Sequence, residues 1–250
     1  MALIEEFDKS GNWLFKKRSF VPVVLYVFAA VLIWFGMDQD MDYTNRKWSF
    51  VCIGVSMYGQ LVRAITIGFT PRNTSGRNTG AGQVASELNT KGIYSTVRHP
   101  LYFGNFFMWM GLVLYVGNWW FSIVAVLLFW LYYERIMFAE EFFLRSKFGQ
   151  IYLNWSAKTP AFVPRIRNWV SSEMDFSLRN VLKREYSGFF AVFLSFALIN
   201  TMKNYMVFKS LDTAFLLDPF WMYLLAGSAI VFILLRSLKK YSRVLHVEGR

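Results

Sequence analysis

The stretch from Gly92 to Gly104 reads G-I-Y-S-T-V-R-H-P-L-Y-F-G, and there the chain passes from polar loop into apolar segment. It gathers Arg98, His99, a proline and two tyrosines immediately before the run Leu101 to Val116. Pro100 suits the first turn of a helix, where its missing N–H leaves no bond unmade. Gly117-Asn118 is a tight turn, and Trp119 to Phe138 then return across the bilayer. The helical pattern continues without a breaker through Glu140, Glu141 and Leu144 to Phe148, stopping at Gly149. At ~1.5 Å per residue this returning helix is about 45 Å long, so its last turns stand clear of a hydrocarbon core of roughly 30 Å. The stretch therefore opens an antiparallel hairpin of membrane helices.

Composition agrees. The 250 residues are 55% hydrophobic and 20% aromatic, which excludes an ordinary soluble domain. The formal net charge is +11, but the basic residues flank apolar spans and form no separate basic domain. That pattern is positive-inside topology rather than a nucleic-acid groove. The lone cysteine, Cys52, lies in an apolar segment, so an intrachain disulfide and a cysteine-rich zinc site are both excluded. His99 and His246 are far apart and no H-E-x-x-H pattern accompanies them, so no metal site is expected.

Working outward, residues 1–19 mix Leu3, Ile4, Phe7, Trp13 and Leu14 with charge and end in Lys16-Lys17-Arg18, an interfacial segment with basic anchors. Phe20 to Met37 form a first span; with no small-residue cleavage site after it, it reads as a retained helix. The acidic loop holding Asp38, Asp40 and Asp42 falls outside. A second span, Trp48 to Phe69, contains Gln60 and Arg63. Two readings stand for Arg63: snorkelling toward the surface, or a functional cation with a buried partner. Thr70 to Thr90 is a polar cytosolic loop whose Gly80-Ala-Gly82-Gln-Val-Ala85 has the letters of a dinucleotide motif, yet no strand precedes it. Gln150 to Arg167 reads as irregular, and Ser172-Glu-Met-Asp175 as a capping box opening a short surface helix with Met174, Leu178, Val181 and Leu182 on one face. Ser187 to Phe208 and Pro219 to Leu235 are further spans, followed by a basic end.

The expected fold is all-α: a polytopic transmembrane helical bundle of about six spans with both termini cytosolic. It divides into residues 1–47 (interfacial segment and first span), 48–167 (a catalytic core) and 168–250 (a surface helix and a carboxy-terminal helical pair). Counting from the turn, Pro100 lies as far before Gly117 as Arg135 lies after Asn118. The hairpin mouth therefore brings Arg98, His99 and Tyr102 near the level of Glu134 and Arg135, with Glu140 and Glu141 about 8 Å higher. A helix amino terminus with Arg98 and His99 suits a carboxylate, while carboxylates and tyrosine faces suit ribose hydroxyls or a cation. No activated serine or cysteine is present, which argues against acyl transfer through the enzyme.

Three motifs in order, G-I-Y-S-T-V-R-H-P-L-Y-F-G, Glu140-Glu141-x-x-Leu144-x-x-x-Phe148-Gly149-x-x-Tyr152 and Thr159-Pro160-x-x-Val163-Pro164, resemble the membrane methyltransferases of the isoprenylcysteine carboxyl methyltransferase and phospholipid methyltransferase superfamily. The resemblance spans about Trp48 to Arg165. It implies S-adenosyl-L-methionine bound at the cytosolic mouth of the bundle and a lipid or lipidated substrate entering from the bilayer. It also implies cofactor contacts from Leu88, Asn89, Tyr94, His99, Pro100, Leu101, Tyr102, Glu140 and Glu141, with Ser86 and Glu87 as weaker candidates. Arg98, His99, Arg135 and Glu140 are the expected catalytic set, Arg135 by its likeness to a family arginine near the substrate. Trp155 stands where relatives often carry a second tyrosine, and the carboxy-terminal spans lie outside the matching core. Methyl transfer from a sulfonium asks for positioning and desolvation more than for a dedicated base. The acceptor stays open among a prenylcysteine carboxylate, a phospholipid amine and a lipid phosphate. Two rival readings are a sterol-reductase-type enzyme using a nicotinamide cofactor, whose motif reads R-H-P-N-Y-x-G-E where this chain has Leu101 and Asn105, and a non-catalytic lipid-binding membrane protein.

Overall fold

Apolar residues dominate every long segment, and in a bilayer only a helix satisfies its own backbone. The computed structural model describes residues 2–18, 21–35, 45–71, 74, 83–208 and 216–249, and its named regular elements are all helical. They are α1 (Leu3–Lys17), α2 (Val21–Trp34), α3 (Arg46–Gly68), α4 (Pro100–Val116), α5 (Trp119–Phe148), α6 (Gln150–Ser156), α7 (Leu178–Phe208) and α8 (Pro219–Tyr241), with short 3-10 turns at Ile93–Ser95 and Ile166–Asn168.

Of these, α3, α5, α7 and α8 are long and apolar enough to cross a membrane. The expectation of six spans is met for these four; α2 and α4 are apolar but shorter, at about 21 and 26 Å against a core of roughly 30 Å. Large apolar side chains such as Leu61 on α3, Leu127 and Leu131 on α5 and Ile233 on α8 face outward, as a lipid-bathed surface requires. The protein is an integral membrane protein. Its helices run alternately away from and toward one end of the bundle, and that end carries both α1 and the last turns of α8. The acidic loop at Asp38 to Asp42, and Gly80 to Gly82, lie outside the described residues.

Two expectations need correction. Gln150 to Ser156 is helical: Gly149, at φ 52°, breaks α5 and lets the chain restart at once as α6. The separate surface helix does not form. Ser172 Oγ does accept from the Met174 N–H, but the helix begins only at Leu178, where Ser177 Oγ takes the Asn180 N–H, and then runs unbroken to Phe208. The apolar face read at Leu178, Val181 and Leu182 is thus the first turn of a spanning helix.

The hairpin turn forms as expected. Gly117 adopts a left-handed φ of 84°, and Asn118 caps α5 by accepting from the Phe121 N–H at 2.8 Å. Lys203, only 1% exposed, donates to the Tyr115 carbonyl at 2.8 Å, so a buried amine closes the carboxy-terminal end of α4. At the opposite end Phe15, Tyr102, Phe129, Tyr132 and Tyr133 make an aromatic core.

Glycines set the closest helix contact. A Cβ on Gly59 would stand 2.3 Å from the Gly104 carbonyl oxygen, and one on Gly111 would stand 2.4 Å from that of Cys52. The backbones of α3 and α4 therefore touch, as in small-residue membrane packing. Gly54 faces open space. Gly59→Ala is expected to lower unfolding free energy in detergent by about 1–3 kcal/mol, whereas Gly54→Ala leaves it unchanged or raises it. Equal effects at the two positions would show that the contact is not tight.

Candidate active site

His99 is the cap of α4 and Pro100 its first residue, so the carbonyl of His99 takes the N–H groups of Tyr102 and Phe103. Residues 92–97 bond among themselves in a 3-10 turn, with Ser95 N–H on the Gly92 carbonyl and Thr96 and Val97 N–H on that of Ile93, and the polar stretch after α6 ties this turn down. Arg98 N–H donates to the Pro160 carbonyl at 2.9 Å, His99 N–H to Ala161 at 3.2 Å, Arg165 N–H to Thr96 at 2.9 Å and Gly92 N–H to Val170 at 2.8 Å. Trp155 donates its indole N–H to the Tyr94 carbonyl at 3.2 Å, so the residue that departs from the tyrosine of relatives still braces this strip.

The ring of His99, 6% exposed, sits between two carboxylates. Its Nε2 lies 3.0 Å from Glu141 Oε1 and its Nδ1 3.4 Å from Glu140 Oε2. Arg98 Nε lies 3.1 Å from the same Glu141 oxygen. The halves expected at the hairpin mouth do meet, but His99 pairs with residues 140 and 141 rather than with the level of Glu134. Side chains on a helix lean toward its amino terminus, so both glutamates reach back down α5 while His99 stands just ahead of α4. Glu134 is exposed.

Tyr94, Arg98, His99, Pro100, Leu101, Tyr102 and Glu140 line one cavity of about 650 Å³, counting the solvent-open space at its mouth. Phe15 of α1 and the segment Gln83 to Ala85 complete the wall. Sequence reasoning missed both. The amphipathic face of α1 was readable as membrane-binding, but it packs on α5 instead, with Gly11 against the Arg135 carbonyl. The glycine-rich loop lacks the strand of a dinucleotide site, yet its end still reaches a ligand-sized cavity.

Leu88 and Asn89, with Glu87, line a neighbouring cavity on the far side of Tyr94, and Ser86 is exposed. Tyr94 is their link to the His99 cavity. Arg135 is a correction: it stacks on Phe7 of α1 at 3.7 Å and reaches Ser10 Oγ at 3.3 Å, outside the cavity. Counting from the turn fixed its height along α5 but not its direction around the helix.

Burial disfavours the imidazolium of His99, but its hydrogen bonds and charge pairing with Glu140 and Glu141 outweigh that cost and hold its pKa above the usual 6.5. Burial, reinforced by Glu140, pushes the Tyr94 phenol up, so it stays neutral. Tyr102 Oη is buried without a hydrogen-bond partner of good geometry, and its ring stacks on His99 at 5.6 Å. The site thus offers a fixed cation between carboxylates, aromatic faces, and a donor waiting for an acceptor.

The phospholipid methyltransferase family model matches residues 48–151 of this bundle, the part that holds the hairpin and the His99 cavity. The chain is 30% identical over 125 residues to the protein-S-isoprenylcysteine O-methyltransferase of Schizosaccharomyces pombe, covering 50% of each chain. It is 26% identical over 147 residues to the Xenopus laevis protein of the same name, covering 57% of this chain and 51% of that one. With the nickel-cobalt-cadmium resistance protein NccN of Alcaligenes xylosoxydans xylosoxydans it shares 34% over 86 residues, 34% of this chain and 40% of that one. The chain spans about half the length of the isoprenylcysteine methyltransferases it matches. No solved structure matches it significantly.

Since the His99 pKa lies above 6.5, the stabilisation from its charged form is complete below that value and is lost as pH rises through the raised one. The melting temperature is expected to fall across that rise, and His99→Gln to flatten the fall. Parallel curves for the two proteins would show that the ring titrates without coupling to the fold.

Proposed function

We propose that the protein is an S-adenosyl-L-methionine-dependent methyltransferase acting on a lipid or lipidated substrate in the bilayer, with its site facing the cytoplasm. The observation that carries this reading is the His99 cavity itself: a buried imidazole between Glu140 and Glu141, beside an unpartnered Tyr102 hydroxyl, inside the family-matched core. The core matches a methyltransferase family model, which calls for a methyl donor, and the residues present fit this one. Glu140 suits ribose hydroxyls or the positive sulfonium, the start of α4 with Arg98 suits the amino-acid carboxylate, and Phe15, Tyr94 and Leu144 suit the adenine face. When bound, the cofactor supplies a methyl group on a cationic sulfur, and its transfer to an anionic or amine acceptor requires no base from the protein.

The chain's own residues then have three tasks. His99 holds Glu140 and Glu141 at fixed positions, and Arg98 shares Glu141. Tyr102 presents its hydroxyl to the bound molecule. The aromatic core of Phe129, Tyr132 and Tyr133 excludes water from the membrane side, which strengthens every electrostatic contact within. The basic loops and ends at the site-bearing end of the bundle support a cytoplasmic orientation.

Calorimetry on purified protein is expected to show S-adenosylhomocysteine binding, with Glu140→Gln and Tyr102→Phe each costing roughly 1.5–3 kcal/mol. Binding untouched by both substitutions would remove the cofactor from this cavity. Incubation with methyl-labelled S-adenosylmethionine and total membrane lipids should place label in the organic extract; a protein that binds the cofactor product but leaves the extract unlabelled is a lipid-binding protein and no enzyme.

A further inference from the structure

Leu101 and Tyr102 line two cavities. The second, which His99 does not line, is of about 990 Å³ counting the solvent-open space at its mouth, and is lined by Arg18, Arg63, Asn105, Tyr133, Arg184, Glu185 and Lys239. Four of these residues are cations and one is a carboxylate. That carboxylate is committed: Glu185, 5% exposed, accepts from Arg63 Nε and Nη2 at 2.8 Å each and from Gln60 Nε2 at 3.0 Å. Arg63 also donates to Asn105 Oδ1 at 2.8 Å, and Asn105 in turn donates to Tyr133 at 2.8 Å.

This arrangement answers the two readings of Arg63. It does not snorkel; it is clamped by a buried bidentate pair whose removal on one side would strand the other charge. The clamp ties α3 of the methyltransferase core to α7, which lies outside the matched residues 48–151. Arg184 and Lys239 likewise come from α7 and α8. Three of its lining residues, Arg184, Glu185 and Lys239, therefore come from the carboxy-terminal helices, whose contribution the family match does not describe. Below Lys239, α8 turns Ile230, Ile233 and Leu234 outward toward lipid, each more than half exposed (59%, 60% and 57%). A cationic cavity above a lipid-facing apolar surface suits an amphiphile with an anionic head and one or more apolar chains, and repels a cationic amine head.

Resting on the methyl-transfer reading above, we propose that this second cavity receives the head group of the membrane substrate, that the head group is an anionic oxygen acid (a carboxylate or a phosphate), and that Arg184 and Lys239 determine that specificity. The shared wall of Leu101 and Tyr102 puts such a head group next to the cavity assigned to the methyl donor. Glu185 is a positioning residue, acting through Arg63.

The test is equilibrium binding to the full-length protein in detergent, read by tryptophan fluorescence without cofactor. The probes are an N-acetyl-S-prenylcysteine and its methyl ester, and a lysophosphatidic acid and the matching monoacylglycerol. At least one acid is expected to bind about tenfold more tightly than its neutral counterpart, and which acid does so separates a carboxylate from a phosphate. Arg184→Gln with Lys239→Gln should abolish the preference and Arg184→Lys with Lys239→Arg should retain it, while S-adenosylhomocysteine affinity changes by less than about twofold in both. Equal binding of acids and neutral counterparts, or a preference that survives the double glutamine variant, overturns the proposal. A protein that keeps the preference but binds no S-adenosylhomocysteine overturns the methyl-transfer reading and leaves the anionic head-group site standing.

Discussion

A charge inside a membrane bundle must bring its partner with it, and the structure of this protein follows from that constraint. Among the described residues, buried basic or acidic side chains occur in three places, and each is answered locally. His99 is answered by Glu140 and Glu141, Arg63 by Glu185 and Gln60, and Lys203 by the carbonyl at the end of α4. Each pairing also joins separate helices: α4 to α5, α3 to α7, and α7 to α4. The polar groups therefore dictate which helices lie side by side, a task that apolar packing in lipid performs weakly because lipid tails are as apolar as leucine.

Close backbone approach supplies the rest of the specificity. Gly59 and Gly104 let α3 and α4 touch, which brings Arg63 within reach of Asn105 and sets the start of α4 against the end of α3. The strip from Gly92 to His99 is then held by the stretch after α6, through backbone bonds to Pro160, Ala161 and Val170. That tie gives physical content to the third motif of the family core. The carbonyls of Pro160 and Ala161 and the Arg165 N–H orient the polar strip.

The two cavities divide the work. One, toward α1, presents the Glu140 carboxylate with Tyr94 and Tyr102; the other, toward α7 and α8, presents mostly cations. Leu101 and Tyr102 are common to both, so the first turn of α4 is the partition. On the proposed reading, an electrophilic cation would lie on the acidic side and a nucleophilic anion on the basic side, the electrostatic arrangement a methyl transfer between them needs.

The sequence alone determined the hairpin, its turn at Gly117-Asn118, the stop at Gly149 and the gathering of Tyr94, His99, Tyr102 and Glu140 at its mouth, because helix period, glycine and proline are local signals. It also flagged Arg63 as a cation with two readings, one of which calls for a buried partner. Only the tertiary structure decided who that partner is: Glu185 lies 122 residues further on, and no local pattern distinguishes it from an ordinary basic-acidic helix start. The same holds for Arg135, whose height was legible but whose direction around α5 depended on where α1 packs, and for Leu88 and Asn89, which a single tyrosine separates from the site they were expected to join. Spacing along a chain sets rise and period; azimuth and long-range pairing come from the packing of one helix against another.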